Sequence, residues 1–276
     1  MITLDPPAGL SHPVPMIDPF ANLKPPPDEP LVEPPDISHI EIEDDEPVDG
    51  IYSEKQQRLL TEPLFSSWSG PLDEEGGRRS FVAMANVGVF SSPAERPLVP
   101  DAMLSLDVAV NPDFAAEKRH NTYFVWEMGK PPDVVIEVVS NRKGGELKKR
   151  RRGYARMRVA YYVVWDPALI ALSEELVGFR LSGDLYVTMS PLVFPNVGLE
   201  LRPWEGTFEG VRARWLRWHL DGEPVPTGAE RAEAERARAE AERERAESEH
   251  ARAEAERERA ERLLALLRQH GIEDPT

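Results

Sequence analysis

The sequence predicts an α/β (or α+β) domain over residues 51–225, with a proline-rich arm before it and a long charged helix after it. Three stretches predict this. Residues 133–139, Asp-Val-Val-Ile-Glu-Val-Val, set five β-branched residues around one carboxylate, between Pro131-Pro132 and Ser140-Asn141. That length and composition read as a buried central strand. From Glu146 the spacing turns helical and basic, and Ala160–Trp165 is a second buried strand ended by Asp166-Pro167. Strands mixed with a few helices in this way define the domain class. Beyond Gly228 the chain has neither Pro nor Gly up to Gln269 and consists almost wholly of Ala, Glu, Arg and Leu.

Residues 1–50 hold twelve of the 27 prolines and end in an acidic run, Glu41, Glu43, Asp44, Asp45 and Glu46. Such a segment cannot form regular ladders, so it reads as an extended, disordered arm. Order begins near Ile51, where Ser53 followed by Glu54-Lys55-Gln56-Gln57-Arg58-Leu59-Leu60 has the form of a capped helix start. Arg79–Phe90 alternates around Phe81, Val82, Met84, Val87 and Val89, a strand with a bend at Gly88. Ala102–Val110 is the next strand, and the polar residues 111–126 form a loop that could cross the site. The central strand, the turn Asn141–Gly145, the basic helix and Ala160–Trp165 follow. Val177–Leu181 and Asp184–Ser190 read as a hairpin turning at Ser182-Gly183, and the apolar residues of Trp204–Trp218 close the core.

Residues 226–270 are of another kind, with 271–276 a short tail. Thr227-Gly228-Ala229-Glu230 has capping-box spacing. Residues 237–247 recur letter for letter at 251–261, and Ala232, Ala239, Ala246, Ala253, Ala260 and Leu267 recur every seven residues. The readings are a single solvated helix or a coiled coil that makes a homodimer; an Ala seam gains little from pairing until Leu263, Leu264, Leu266 and Leu267 join.

The 276 residues carry a formal net charge of −16, which argues against a protein that coats nucleic acid over its whole surface but leaves room for a local basic patch. The absence of cysteine excludes disulfides and thiolate metal sites and fits a reducing, cytoplasmic location. No apolar run approaches the roughly 20 residues of a membrane span, and no secretory signal is visible, so no membrane partner is expected.

The chemistry centres on Glu137. Alternation puts Val134, Ile136 and Val138 on one face of the strand and Asp133, Val135, Glu137 and Val139 on the other. An ionised carboxylate within such a run needs a partner, either an Arg or a metal ion. Asp101 stands at the mouth of a neighbouring strand. Together Asp101 and Glu137, with the Val138 carbonyl as a third oxygen, could hold a hard divalent cation. Arg142, Lys143, Lys148, Lys149, Arg150, Arg151, Arg152, Arg156 and Arg158 follow as a cationic island in an acidic chain. It is either a solvated helix face or a surface that holds a phosphodiester beside the metal. Asp107, Asp133 and His120 are weaker candidates, better explained by turns and surface.

These residues resemble a known family. Pro100-Asp101, Pro132–Asn141, the basic helix with Tyr154-Ala155-Arg156, and Tyr161–Pro167 are similar to the bacterial restriction endonuclease family of unknown-function type within the PD-(D/E)XK nuclease superfamily. The likeness runs over roughly 55–275, through Trp215-Leu216-Arg217-Trp218 to the charged tail. It implies a restriction-endonuclease-like core, a mixed central sheet flanked by helices, with Mg²⁺ (or Mn²⁺) at Asp101 and Glu137 and DNA as substrate. The superfamily's lysine, two residues after the acid, is replaced here by Val139; in the family a Lys from the following helix, about one turn before the Tyr that matches Tyr154, takes its place. That position is Arg150, and Lys149 next to it is the expected catalytic lysine, with Lys148, Arg150 and Arg152 as phosphate contacts. The function so implied is a Mg²⁺-dependent DNA endonuclease that hydrolyses phosphodiester bonds, expected as a homodimer formed through the nuclease domain, the C-terminal coiled coil or both. The alternative is a catalytically inactive nuclease-like module that recruits partners through its coiled coil and Pro-rich arm.

Overall fold

The computed structural model describes residues 50–111, 120–139 and 144–269, and the chain divides between Val225 and Pro226 into two units. The expected arm at residues 1–49, the loop over 112–119, the turn at 140–143 and the tail beyond 269 lie outside the described residues.

The first unit contains helices α1 (Ile51–Ser67), α2 (Val125–Met128) and α3 (Gly144–Met157). Its strands are β1 (Phe81–Met84), β2 (Val89–Phe90), β3 (Ala102–Leu106), β4 (Tyr123–Phe124), β5 (Val134–Val138), β6 (Tyr161–Trp165), β7 (Leu176–Ser182) and β8 (Leu185–Met189), then β9 (Val193–Phe194), β10 (Leu199–Phe208), β11 (Val211–Leu220) and β12 (Glu223–Pro224). A six-stranded mixed sheet runs in the order β1-β3-β5-β6-β7-β8. Only β5 and β6 pair in parallel, because α3 carries the chain back between them; the other neighbours are antiparallel. A four-stranded sheet, β12-β11-β10-β9, and a parallel pair, β2-β4, complete the unit.

The alternation in β5 divides the core in two. Val134, Ile136 and Val138 join Leu104, Val163, Trp165, Leu60, Leu216 and Trp218 in one cluster, against α1 and the second sheet. Val135 and Val139 join Met103, Tyr154, Tyr162 and Phe179 in the other, beneath α3. The six-stranded sheet is thus covered on both faces, and all five residues of β5 are buried. Side-chain amides and indoles tie α1 to β11. Gln56 both donates to the Leu216 carbonyl (2.8 Å) and accepts from its N–H (2.9 Å), and the Trp218 indole donates to the Leu60 carbonyl (2.8 Å).

Some expected boundaries move, for local reasons. The helix α1 begins at Ile51 behind Gly50, and Ser53 is buried within it rather than capping it. The strand expected over Arg79–Phe90 breaks into β1 and β2 because the chain turns at Asn86, which has φ 53°. The strand expected to reach Val110 ends at Leu106: Asp107 adopts φ 57° and its carboxylate receives the Arg79 guanidinium (3.0 Å from Nε). The stretch Trp204–Trp218 is more than core filler, since β10 and β11 form a long antiparallel hairpin. Glu209 and Gly210, with φ 45° and 78°, make its two-residue turn, the primed geometry that matches strand twist.

The second unit is α4 (Gly228–Gln269), 42 residues, about 63 Å at 1.5 Å per residue. Thr227 and Glu230 exchange capping bonds at its start: Glu230 N–H donates to Thr227 Oγ1 (3.1 Å) and Thr227 N–H donates to Glu230 Oε2 (2.7 Å). Ion pairs four residues apart, such as Glu258–Arg262 at 3.0 Å, line its sides, and Leu263, Leu264, Leu266 and Leu267 are exposed near its end.

Candidate functional site

β3 and β5 pair with Ala102 opposite Ile136, so extending the register by one residue puts Asp101 across from Glu137. Residues directly opposite in an antiparallel pair share a face, with Cβ atoms about 5 Å apart. The face is the one beneath α3, since Met103 and Val135 one step away belong to that cluster. Thirty-five residues separate the two acids in sequence, and the strand pairing removes that separation.

Each acid is held by donors. Asp101 accepts from the Val138 backbone N–H (2.5 Å) and from Gln57 Nε2 (3.3 Å), and Gln57 in turn accepts from Asn86 Nδ2 (2.9 Å). Glu137, only 4 % exposed, accepts from Tyr154 Oη (2.7 Å) on one oxygen and from Arg150 Nη1 (2.6 Å) on the other. Arg150 also donates to the Val99 carbonyl (2.8 Å), which fixes its guanidinium beside the start of β3. Burial pushes Glu137 up to about 7; the Arg150 charge opposes the rise and the Asp101 charge adds to it. Burial and the neighbouring Glu137 also raise Tyr154, so its hydroxyl remains a donor. The site is therefore a buried, partly compensated negative charge between α1 and α3, with a permanent cation at its edge.

The helix α3 decides which basic residue arrives. Arg150 and Tyr154 lie four positions apart on one face and both reach Glu137. Lys149, the residue expected beside the acids, is one step of about 100° round the helix and is exposed, as are Lys148 and Arg152. Glu137 thus has an arginine partner, one of the two kinds of partner the sequence left open. Asp133 accepts from the Leu106 N–H (2.8 Å) and pairs with Lys130, while His120 Nε2 lies 3.1 Å from Asn111 Nδ2. Glu54 pairs with Arg58 at 2.6 Å. Sequence reasoning missed Gln57 and Asn86. Neither sits in a motif; Gln57 reaches Asp101, and Asn86 reaches Gln57, only because α1 and the β1–β2 bend come together beside the start of β3.

Among the described residues no three His, Cys, Asp or Glu side chains cluster. Two carboxylates with peptide oxygens still fit a small hard cation, which commonly keeps several waters and takes one or two protein carboxylates. The carboxylate oxygens that already accept hydrogen bonds retain lone pairs for it. Among the described residues no helix is long and apolar enough to cross a membrane.

The chain belongs to the Uma2 family, described as "Putative restriction endonuclease", which matches residues 36–202. The match takes in Asp101, Glu137, the basic helix and β6. Comparison with curated proteins gives no match.

Proposed function

We propose that the protein is a divalent-metal-dependent DNA endonuclease whose centre is Asp101, Glu137 and the Val138 peptide. The observation that carries the proposal is the convergence of two acids, Asp101 just before β3 and Glu137 on β5, the latter buried and pushed up to about 7, beside a fixed guanidinium. Such perturbed, clustered groups are what a charged substrate or ion stabilises.

Asp101 and Glu137 would hold Mg²⁺ or Mn²⁺, with the Val138 carbonyl as a further oxygen. The chemistry such an ion supplies is polarisation of a phosphoryl oxygen and activation of water. The protein's own groups do the rest. Gln57 and the Val138 N–H orient Asp101, and the Tyr154 hydroxyl orients Glu137. Arg150 keeps its proton at all working pH values, so its part is electrostatic: it offsets charge on the phosphate as it now offsets Glu137. Lys149, an exposed amine on the same helix, has the chemistry to orient water, and the exposed Lys148 and Arg152 would hold the DNA backbone. A second copy would join through the leucines at the end of α4, giving a homodimer. The reading places the protein in the cytoplasm, with DNA as its substrate.

The test is supercoiled plasmid incubated with Mg²⁺ or Mn²⁺, together with Mn²⁺ titration by calorimetry. Wild type should nick or linearise the plasmid, and Glu137→Ala should slow this by about a hundredfold or more while weakening Mn²⁺ binding. Comparing Lys149→Ala with Arg150→Ala shows which basic residue completes the centre. If wild type cuts nothing and Glu137→Ala binds Mn²⁺ as wild type does, the enzyme reading gives way to an inactive module that recruits partners.

A further inference from the structure

Beside the candidate centre, on the far side of α3 from β3, lies a cavity of about 200 Å³. Its apolar lining includes Leu147, Val164, Ala171, Val177 and Phe179. Val164 pairs in register with Glu137, and Val177 pairs with Val164, so the cavity opens one to two strand spacings, about 5–10 Å, from the acid. Tyr162 also lines it. This side chain is 1 % exposed and its hydroxyl has no hydrogen-bond partner among the described residues. A buried hydroxyl left unpaired costs free energy in the folded state, and such groups are rare. Burial raises the Tyr162 pKa, so the hydroxyl stays protonated and able to donate. Two exposed cations stand among the lining residues: Lys148, and Arg151, whose guanidinium lies 5.1 Å from the Phe179 ring centre.

The three features specify one kind of occupant. Apolar and aromatic walls around this volume suit a single flat ring; an apolar cavity of about 150 Å³ is enough for benzene. The unpaired hydroxyl calls for an acceptor on the ring's edge. The cations call for negative charge just outside. We propose that this cavity binds the base of a pyrimidine nucleotide, with the ring against Phe179, a ring oxygen or nitrogen on the Tyr162 hydroxyl, and the phosphate between Lys148 and Arg151. The proposal rests on the nuclease reading for its biological setting, where the base would belong to the strand held at Asp101 and Glu137.

The experiment measures binding to the full chain by calorimetry in EDTA, where no metal-dependent cleavage occurs. The probes are thymidine 5′-monophosphate, deoxyguanosine 5′-monophosphate, inorganic phosphate, and octathymidylate with and without an abasic position. Thymidine 5′-monophosphate should bind more tightly than inorganic phosphate or the purine nucleotide. Tyr162→Phe should weaken it about three- to tenfold, the worth of one hydrogen bond, and Ala171→Trp should abolish it by filling the cavity. Tyr162→Phe should also unfold at or above the wild-type temperature, since it deletes an unpaired buried group, so lost binding would not reflect lost folding. Octathymidylate that binds more tightly than the mononucleotide, and loses the gain at one abasic position, identifies the base as part of a strand; equal affinities identify a free nucleotide. If inorganic phosphate binds as well as thymidine 5′-monophosphate, or Tyr162→Phe changes nothing, the cavity is not a base site. That result leaves plasmid cutting untouched, whereas binding that responds to Tyr162→Phe in a protein that cuts no plasmid removes the nuclease reading and leaves the cavity's ligand standing.

Discussion

Replacing Glu137 by Gln should change how stability depends on pH, and by a predictable amount. In the folded protein the carboxyl keeps its proton up to about 7, against an ordinary value of 4.5. Between those two pH values the folded state binds more protons than the unfolded chain, so stability falls as pH rises through the window and levels off above it. A group shifted this far contributes about 2.5 kcal/mol less at pH 8 than at pH 5. The Gln variant lacks this titration. Any mismatch between its amide and Tyr154 or Arg150 is a constant offset that cancels in the difference between the two pH values. Urea unfolding at pH 5 and pH 8, followed by tryptophan fluorescence, isolates the effect, because all six tryptophans lie between residues 68 and 218. Wild type minus variant should drop by about 2.5 kcal/mol from pH 5 to pH 8. A difference that stays constant within about 0.5 kcal/mol, the resolution of such extrapolations, would mean that Glu137 is not the buried, cation-seeking acid on which the site depends.

Two further outcomes follow from named contacts. Tyr154→Phe removes a buried donor 2.7 Å from Glu137, so it should cost about 1.5–3 kcal/mol at pH 8, measured by urea unfolding, and push the Glu137 transition to higher pH. Leu263→Glu combined with Leu267→Glu should convert the proposed dimer to monomer in sedimentation equilibrium. Heptad pairing through α4 would then be wrong if wild type sediments as a monomer at every concentration or the double variant stays dimeric.

Whatever depends on near neighbours in the chain was legible in the residues themselves. The β-branched run around Glu137 marks a strand with all five of its residues buried, and its alternation separates Val134, Ile136 and Val138 from Val135 and Val139. The helical spacing after Glu146, the strand Tyr161–Trp165, and the Thr227–Glu230 box are local patterns of the same kind. The β10–β11 hairpin was missed although its signal was present: Glu209-Gly210 sits between alternating residues, but Arg202, Arg212, Arg214 and Arg217 mask the apolar period.

The candidate site was legible only as a list of residues. That Asp101 belongs with Glu137 follows from the β3–β5 register; that Gln57 and Asn86 belong with Asp101 follows from the packing of α1. Which of Lys149 and Arg150 touches Glu137 turned on the rotation of α3 over the sheet, where one residue is about 100° and separates solvent from the acid. By itself the sequence determined the central strand, the basic helix and the strand after it, the capped terminal helix, the buried carboxylate and the supply of positive charge near it, because hydrophobic period and local hydrogen bonding act over a few residues. Only the tertiary structure decided which charges meet, because a carboxylate's partner is chosen by distances of a few ångströms between segments that the chain order leaves dozens of residues apart.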